Sequence, residues 1–207
     1  MFISLGPACE PALKLRNLGL RTISLPFDWM FVDCNRLFEY INDLINTNFK
    51  NFTNDLTYNW RDKVISKHYN YAEFFHYDLI KNTTLNRPED SNKNLLEMMN
   101  NRGKRFMDII SNEKNEVIFV CEFPYRRVIK DGKLINKKLY EDMLNFDTNN
   151  NIKCKFKVFV YLKMSNIESE LYTLSIPTEF ETLKHFIFDT YSSKTNFELM
   201  LKKNNLL

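Results

Sequence analysis

Apolar residues occur along this chain in two patterns, short continuous runs and longer stretches with helical spacing. Residues 117–121 form an unbroken apolar run, and residues 156–162 form a second, mostly apolar one. Runs of this kind predict strands that are covered on both faces. Shorter apolar segments at residues 2–5 and 186–188 predict two more strands near the ends of the chain.

Stretches with helical spacing separate these strands. The pattern predicts helices at residues 8–18, 34–44, 95–110, 133–146 and 196–203. Pro11 suits the first turn of the first helix, and Gly19 is the expected residue at its end. Asp33 is the expected N-cap of the second helix.

Three regions depart from this alternation. Residues 22–30 carry β-branched and aromatic side chains typical of a strand, but Pro26 limits pairing, so residues 27–29 should turn across the end of the sheet. Residues 81–94 are rich in turn-forming residues and predict an exposed loop. Short strands are also predicted in the aromatic-rich pieces at residues 56–60, 64–68 and 71–75.

Strands that alternate with helices predict an α/β fold, in which a mainly parallel sheet lies between two helical layers. We expect a three-layer sandwich in a single domain over residues 1–207, with a small irregular β insertion. The sheet should have at least four strands, with the first near the centre. Ligands of such sheets bind beyond the carboxyl ends of the strands, and Cys9 follows the first strand at that end.

Composition narrows the class of protein. The chain is 44% hydrophobic and 27% charged, as in an ordinary globular protein. A net charge of +3 and dispersed lysines argue against nucleic-acid binding. The chain lacks a long apolar stretch and a signal peptide, which predicts no membrane association and an intracellular location. The chain has few alanines and many Asn, Lys, Ile and Phe residues, a composition that fits a virus with an AT-rich genome. For a viral protein, the intracellular location would be the host cytoplasm or the virion.

The four cysteines are widely spaced and include no Cys-x-x-Cys pair. This spacing argues against a disulfide framework and a zinc site, and no metal or other cofactor is predicted. Cys9 lies at the turn between the first strand and the first helix. Unpaired N–H groups at a helix N-terminus favour negative charge, so a thiol there loses its proton more readily than a free cysteine. Cys9 is therefore either a nucleophile or a small residue that fills a crowded turn.

Three segments near the N-terminus form a specific block. They are SLGPAC at residues 4–9, LRNLGLR at residues 15–21 and PFDW at residues 26–29. This block resembles the signature of an uncharacterised family named for papain-like cysteine peptidases, whose members occur in bacteria and large DNA viruses. The resemblance continues more weakly in FHYD at residues 75–78 and in the basic helix that leads into the strand at residues 116–120. It covers about the first two thirds of the chain.

The resemblance implies a hydrolase that forms a covalent acyl intermediate on Cys9. A thiolate nucleophile works with a base, and the chain offers three histidines: His68, His76 and His185. His76 matches the family's aromatic-His motif and is the implied general base, although it is equally a candidate for a structural histidine. Asp28 and Asp78 are the implied acids that orient its imidazole. Papain-like folds place the cysteine on a helix that faces an antiparallel β-rich half, which differs from the parallel sheet predicted above.

Four arginines are candidates for substrate binding. Arg16 and Arg21 precede the PFDW segment and either bind an anionic or sugar ligand or form internal ion pairs with its aspartate. Arg126 and Arg127 follow the central strand at its carboxyl end. These two either line the cleft or belong to a solvated loop.

Two other functions stay open. The turn at Cys9 also resembles the first block of SGNH-like acyl hydrolases with cysteine in place of serine, and α/β layers suit nucleotide-sugar enzymes. One alternative is therefore a carbohydrate-active enzyme, either an esterase or a glycosyltransferase. A glycosyltransferase would be metal-independent, since no Asp-x-Asp metal motif occurs. A non-enzymatic interaction protein is the other. The substrate of an enzyme would be a peptide, a small molecule or a glycan.

Overall fold

Strands and helices alternate along the chain in the computed structural model, which describes residues 1–74, 76–79, 83–84, 95–130, 133–164, 176–192 and 195–207. In chain order the elements are β1 (Phe2–Gly6), α1 (Glu10–Asn17), β2 (Phe31–Val32), α2 (Leu37–Asn46), β3 (Leu56–Tyr58), β4 (Val64–Ser66), β5 (Tyr69–Phe74), β6 (Tyr77–Asp78), β7 (Thr83–Thr84), α3 (Leu95–Ile110), β8 (Glu116–Pro124), α4 (Tyr125–Val128), β9 (Ile129–Lys130), β10 (Lys133–Leu134), α5 (Lys137–Asp147), β11 (Lys155–Lys163), β12 (Phe186–Tyr191) and α6 (Phe197–Lys203). Short 3-10 turns occur at Cys34–Arg36 and Thr178–Thr182.

The central sheet is parallel and has the strand order β1, β8, β11, β12. β8 and β11 form its central pair and lie side by side from the Glu116–Lys155 pair to the Pro124–Lys163 pair. β1 is an edge strand of the described sheet, so the expectation that it lies near the centre is wrong. Its apolar pattern misleads because helices cover both faces even at this edge, and a covered edge strand has the same pattern as a central one.

Helices enclose this sheet on both faces. α1 and α6 cover one face, where Leu15 and Leu201 share a buried cluster with Val120 and Phe159 of the sheet. α2, α3 and α5 cover the other face and contribute to the larger core. The predicted three-layer α/β sandwich is therefore confirmed.

A second sheet lies in the segment between α2 and α3. It is antiparallel, with the strand order β2, β5, β4, β3, and it overlaps the three short strands predicted there. It packs against α2, with the ring centroids of Tyr40 and Tyr69 4.8 Å apart. Most of the loop predicted at residues 81–94 lies outside the described residues.

The strand predicted at residues 22–30 is wrong, because regular pairing begins only at Phe31, whereas the turn predicted at residues 27–29 is confirmed within the turns at residues 26–29. Leu25 and Asp28 exchange two hydrogen bonds across the start of this turn. The Leu25 N–H donates to Oδ2 of Asp28 at 2.8 Å, and the Asp28 N–H donates to the Leu25 carbonyl at 3.4 Å. A side chain that binds the backbone in this way favours a turn over a strand.

The helices agree with their predicted positions, with differences at the ends. α3 has the predicted bounds, whereas the helix expected from residue 133 begins only at Lys137, after Asn136 as its N-cap. Asp33 caps the 3-10 turn before α2 instead of α2 itself. No helix in the described ranges is long and apolar enough to cross a membrane.

Candidate active site

Cys9 lies in the turn between β1 and α1, beyond the carboxyl end of an edge strand of the parallel sheet. It is the N-cap residue of α1, and its carbonyl accepts a hydrogen bond from the Leu13 N–H at 3.0 Å. Gly6 ends β1 with a φ of +91°, which glycine adopts without strain. Pro11 lies in the first turn of α1, where its missing N–H costs no helical hydrogen bond.

The thiol of Cys9 is more exposed than the other three. Cys9 is half-buried, whereas Cys34, Cys121 and Cys154 are buried. Burial raises the pKa of each of these three thiols above its ordinary value. They therefore hold their protons at neutral pH and are poor nucleophiles.

The PFDW turn and the antiparallel sheet hold the backbone around Cys9. A Cβ atom on Gly6 would lie 4.0 Å from the carbonyl oxygen of Phe27, so the two turns are in direct contact. The Val32 N–H of β2 donates a hydrogen bond to the Pro7 carbonyl at 2.8 Å. The turn that carries Cys9 therefore lies between a parallel and an antiparallel sheet.

Asp28 is buried and paired with Arg21. Nε and Nη2 of Arg21 donate to Oδ2 of Asp28 at 3.0 and 2.6 Å. Burial raises the pKa of the Asp28 carboxyl, and the Arg21 guanidinium opposes that rise by stabilising the carboxylate. The internal ion pair, one of the two interpretations of Arg21, is therefore present. Arg16 is exposed and takes no part in it.

His76 packs against Trp29 of the same turn. The two rings meet edge to face, with centroids 5.6 Å apart. Burial lowers the pKa of the imidazole, and the positive charge of Lys63 lowers it further, so the ring is neutral at neutral pH. Among the described residues, no hydrogen bond joins His76 to the thiol of Cys9 or to the carboxylate of Asp28.

The other predicted site residues occupy different surroundings. The backbone of Asp78 belongs to β6, but its side chain lies outside the described residues. Arg126 and Arg127 are both exposed, and Arg127 lines a cavity beside the antiparallel sheet. His185 binds Asp147, with Nδ1 2.9 Å from Oδ1, ahead of β12 at the opposite edge of the parallel sheet. Within the described ranges, no three His, Cys, Asp or Glu side chains converge as a metal site requires.

A family model described as "Putative papain-like cysteine peptidase (DUF1796)" matches residues 1–165. The chain belongs to the DUF1796 family. The matched region runs from β1 through β11 and includes Cys9, the PFDW turn and His76. No curated protein and no solved structure matches the chain.

A cluster of ion pairs that the sequence analysis missed also lies in the DUF1796 region, on the carboxyl edge of the sheet. Lys14 binds Glu10 at 3.0 Å and Glu122 at 3.3 Å, and Lys163 binds Glu122 at 3.4 Å. The Lys14 ammonium also lies 3.8 Å from the ring centre of Tyr191. These contacts tie α1, and with it the turn at Cys9, to β8 and β11. The sequence signal was Glu122 itself, a carboxylate inside an apolar strand that must find partners.

Proposed function

We propose that this protein is a cysteine hydrolase that cleaves an acyl bond, a peptide bond in keeping with the family description, through a covalent intermediate on Cys9. The observation that carries the proposal is the position of Cys9. It starts α1 at the carboxyl edge of the parallel sheet and is the least buried of the four cysteines. The dipole of a helix favours negative charge at its N-terminus, and this is the general ground for a reactive thiol here, since no N–H of α1 is hydrogen-bonded to the Cys9 side chain.

The proposed reaction has two steps. His76 takes the proton of the Cys9 thiol, and the thiolate attacks the carbonyl carbon of the substrate. The protonated His76 then gives its proton to the leaving amine, which departs and leaves a thioester. In the second step a water molecule gives a proton to His76 and attacks the thioester carbonyl. The acid product leaves, the thiol regains its proton from His76, and one water molecule has been consumed.

The surroundings of His76 and Cys9 support these roles. A neutral imidazole is the form that a general base requires, and burial keeps His76 in that form at neutral pH. The Arg21–Asp28 ion pair stabilises the turn that carries Trp29, on which His76 packs. Asp28 is thus a positioning residue that acts on His76 through this turn. The mechanism requires His76 to come within hydrogen-bond distance of Cys9 when substrate binds, a closure common among catalytic pairs.

Alkylation by iodoacetamide as a function of pH tests this proposal. Mass spectrometry of each cysteine peptide gives the rate at every pH, and rates in urea correct for intrinsic reactivity. We expect Cys9 to react faster than Cys34, Cys121 and Cys154 in the folded protein and more slowly in His76→Ala, with His185→Ala as the matched control. A Cys9 that reacts no faster than the other three cysteines and is unchanged in His76→Ala would contradict the mechanism.

A further inference from the structure

A groove lies between the antiparallel sheet and α4. It has a volume of about 530 Å³, and its walls include Phe31 of β2, Trp60 and Arg61 of the β3–β4 connection, Glu73 of β5 and Arg127 of α4. We call it the sheet groove. It is joined to the candidate active site through β2, because Val32, the neighbour of Phe31, donates its N–H to the carbonyl of Pro7.

The sheet groove presents aromatic surface to solvent from a firmly built turn. Trp60 is 89% exposed and Phe31 is 39% exposed, although large aromatic side chains are normally more buried. The turn that carries Trp60 is held by Asn59, whose Oδ1 accepts hydrogen bonds from the N–H groups of Arg61 and Lys63 at 2.9 and 3.0 Å. The aromatic surface is therefore preorganised, which reduces the entropy lost on binding.

The two carboxylates of the groove already accept hydrogen bonds from the protein. Glu73 is bound by Asn59 at 2.7 Å and by the guanidinium of Arg61. Asp33 accepts a hydrogen bond from the Asn35 N–H at 3.0 Å. Arg127 lines the same groove and takes part in no salt bridge among the described residues. A ligand thus meets the Arg127 guanidinium beside Phe31 and the ring of Trp60, over which the Arg61 guanidinium lies 5.4 Å from the ring centre.

We propose that the sheet groove binds a peptide segment in which an apolar or aromatic side chain stands next to a carboxylate. The apolar side chain stacks on Trp60 and Phe31, and the carboxylate pairs with Arg127. A neutral glycan fits less well, because it has no charged group to pair with Arg127. We take this peptide to be part of the substrate that is cleaved at Cys9, and this step rests on the proposed function.

Isothermal titration calorimetry on the Cys9→Ser protein tests the groove separately from catalysis. The probes are acetyl-Gly-Phe-Asp-Gly-amide and the same peptide with Asn in place of Asp. We expect the Asp peptide to bind about fivefold more tightly than the Asn peptide, as an accessible charge pair provides. Arg127→Ala should remove that difference, and Trp60→Ala should weaken binding of both peptides. Arg126→Ala, an exposed neighbour outside the groove, is the matched control and should bind as the parent does.

Several results would contradict the proposal that the sheet groove binds this peptide. Equal affinity for the two peptides, unchanged affinity in Trp60→Ala with its melting temperature retained, or no binding at millimolar peptide would overturn the proposal. If maltotriose binds saturably and Trp60→Ala abolishes that binding, the ligand of the groove is a glycan and the peptide proposal is wrong. If the peptide binds but the alkylation of Cys9 does not depend on His76, the groove proposal stands and the hydrolase proposal fails. The failures of the two proposals are therefore distinguishable.

Discussion

Arg21 and Asp28 form an ion pair whose side chains are only 8% and 2% exposed to solvent. Oδ2 of Asp28 accepts three hydrogen bonds, two from Arg21 and one from the Leu25 N–H. The pair therefore joins the segment after α1 to the PFDW turn. Because both charges are buried, each depends on the other for its stability.

Asp28→Asn should lower the free energy of unfolding by about 3 kcal/mol, because it leaves the guanidinium of Arg21 buried without a counter-charge. Urea denaturation monitored by circular dichroism measures the change. The control is Glu39→Gln, which breaks two ion pairs nearer the surface, with Arg36 and with Lys138, whose side chains are 42% and 56% exposed. That variant should lose less than about 1 kcal/mol. Similar losses in the two variants would show that burial does not determine the value of the Arg21–Asp28 pair.

His76 should make the protein less stable as the pH falls below 6.5, its ordinary pKa. Burial lowers the pKa of His76 in the folded state, so the unfolded chain binds a proton more readily in this range, and protonation favours unfolding. His76→Gln should reduce the loss of stability between pH 7.5 and pH 5, measured by urea denaturation at each pH. His68→Gln is the control for the removal of one histidine, because His68 is exposed. Parallel pH profiles for wild type and His76→Gln would contradict this prediction.

Lys14→Met should lower the free energy of unfolding by about 2 kcal/mol, because Glu122 then keeps only Lys163 as its ionic partner in a mostly buried position. Chemical denaturation measures the loss. Lys137→Met is a matched control, because Lys137 is 88% exposed and pairs with Glu141 on the surface of α5. Its loss should stay below about 0.5 kcal/mol. If Lys14→Met is as mild as this control, the cluster does not hold α1 to the sheet.

Gly103→Ala should destabilise the protein even though alanine favours a helix by about 1 kcal/mol relative to glycine. A Cβ at this position in α3 would lie 2.8 Å from Cδ1 of Phe49, which is packed against Phe27 and Phe106. We expect a net loss of about 1–2 kcal/mol from this overpacking, measured as a lower melting temperature.

The clash at Gly103 also predicts coupling between the two positions. In a Phe49→Ala background, Gly103→Ala should cost less than it does in wild type, because the Cγ and Cδ1 atoms that crowd the methyl group are gone. A melting temperature that rises in the single variant would show that helix propensity outweighs the contact with Phe49.

The sequence predicts those elements whose pattern is local. α3 and β8 appear where the apolar spacing places them, because each carries a long periodic or continuous signal. The segment at residues 22–30 was mistaken for a strand because the hydrogen bonds of Asp28 with Leu25 outweigh its β propensity. The position of β1 at the edge depends on pairing between Phe2 and Ile118, which no local pattern reports.

In the candidate site, too, contacts between residues close in sequence could be predicted and contacts between distant residues could not. The turn at Cys9 and the ion pair of Arg21 with Asp28 were visible because their residues are close in sequence. Lys14 and Glu122 are 108 residues apart, and their contact depends on the packing of α1 against β8. The contact between the two sheets is equally non-local, since the turn that carries Cys9 is joined to the antiparallel sheet by the hydrogen bond from the Val32 N–H to the Pro7 carbonyl.

The two tryptophans give this protein built-in optical reporters for its two candidate sites. Trp29 is partly shielded and touches His76, whereas Trp60 stands in water at the sheet groove. Their indole emission should therefore differ in wavelength and in access to quenchers such as iodide. A Trp60→Phe protein would emit only from the indole beside His76, so the protonation of that imidazole should become readable as quenching without any attached label.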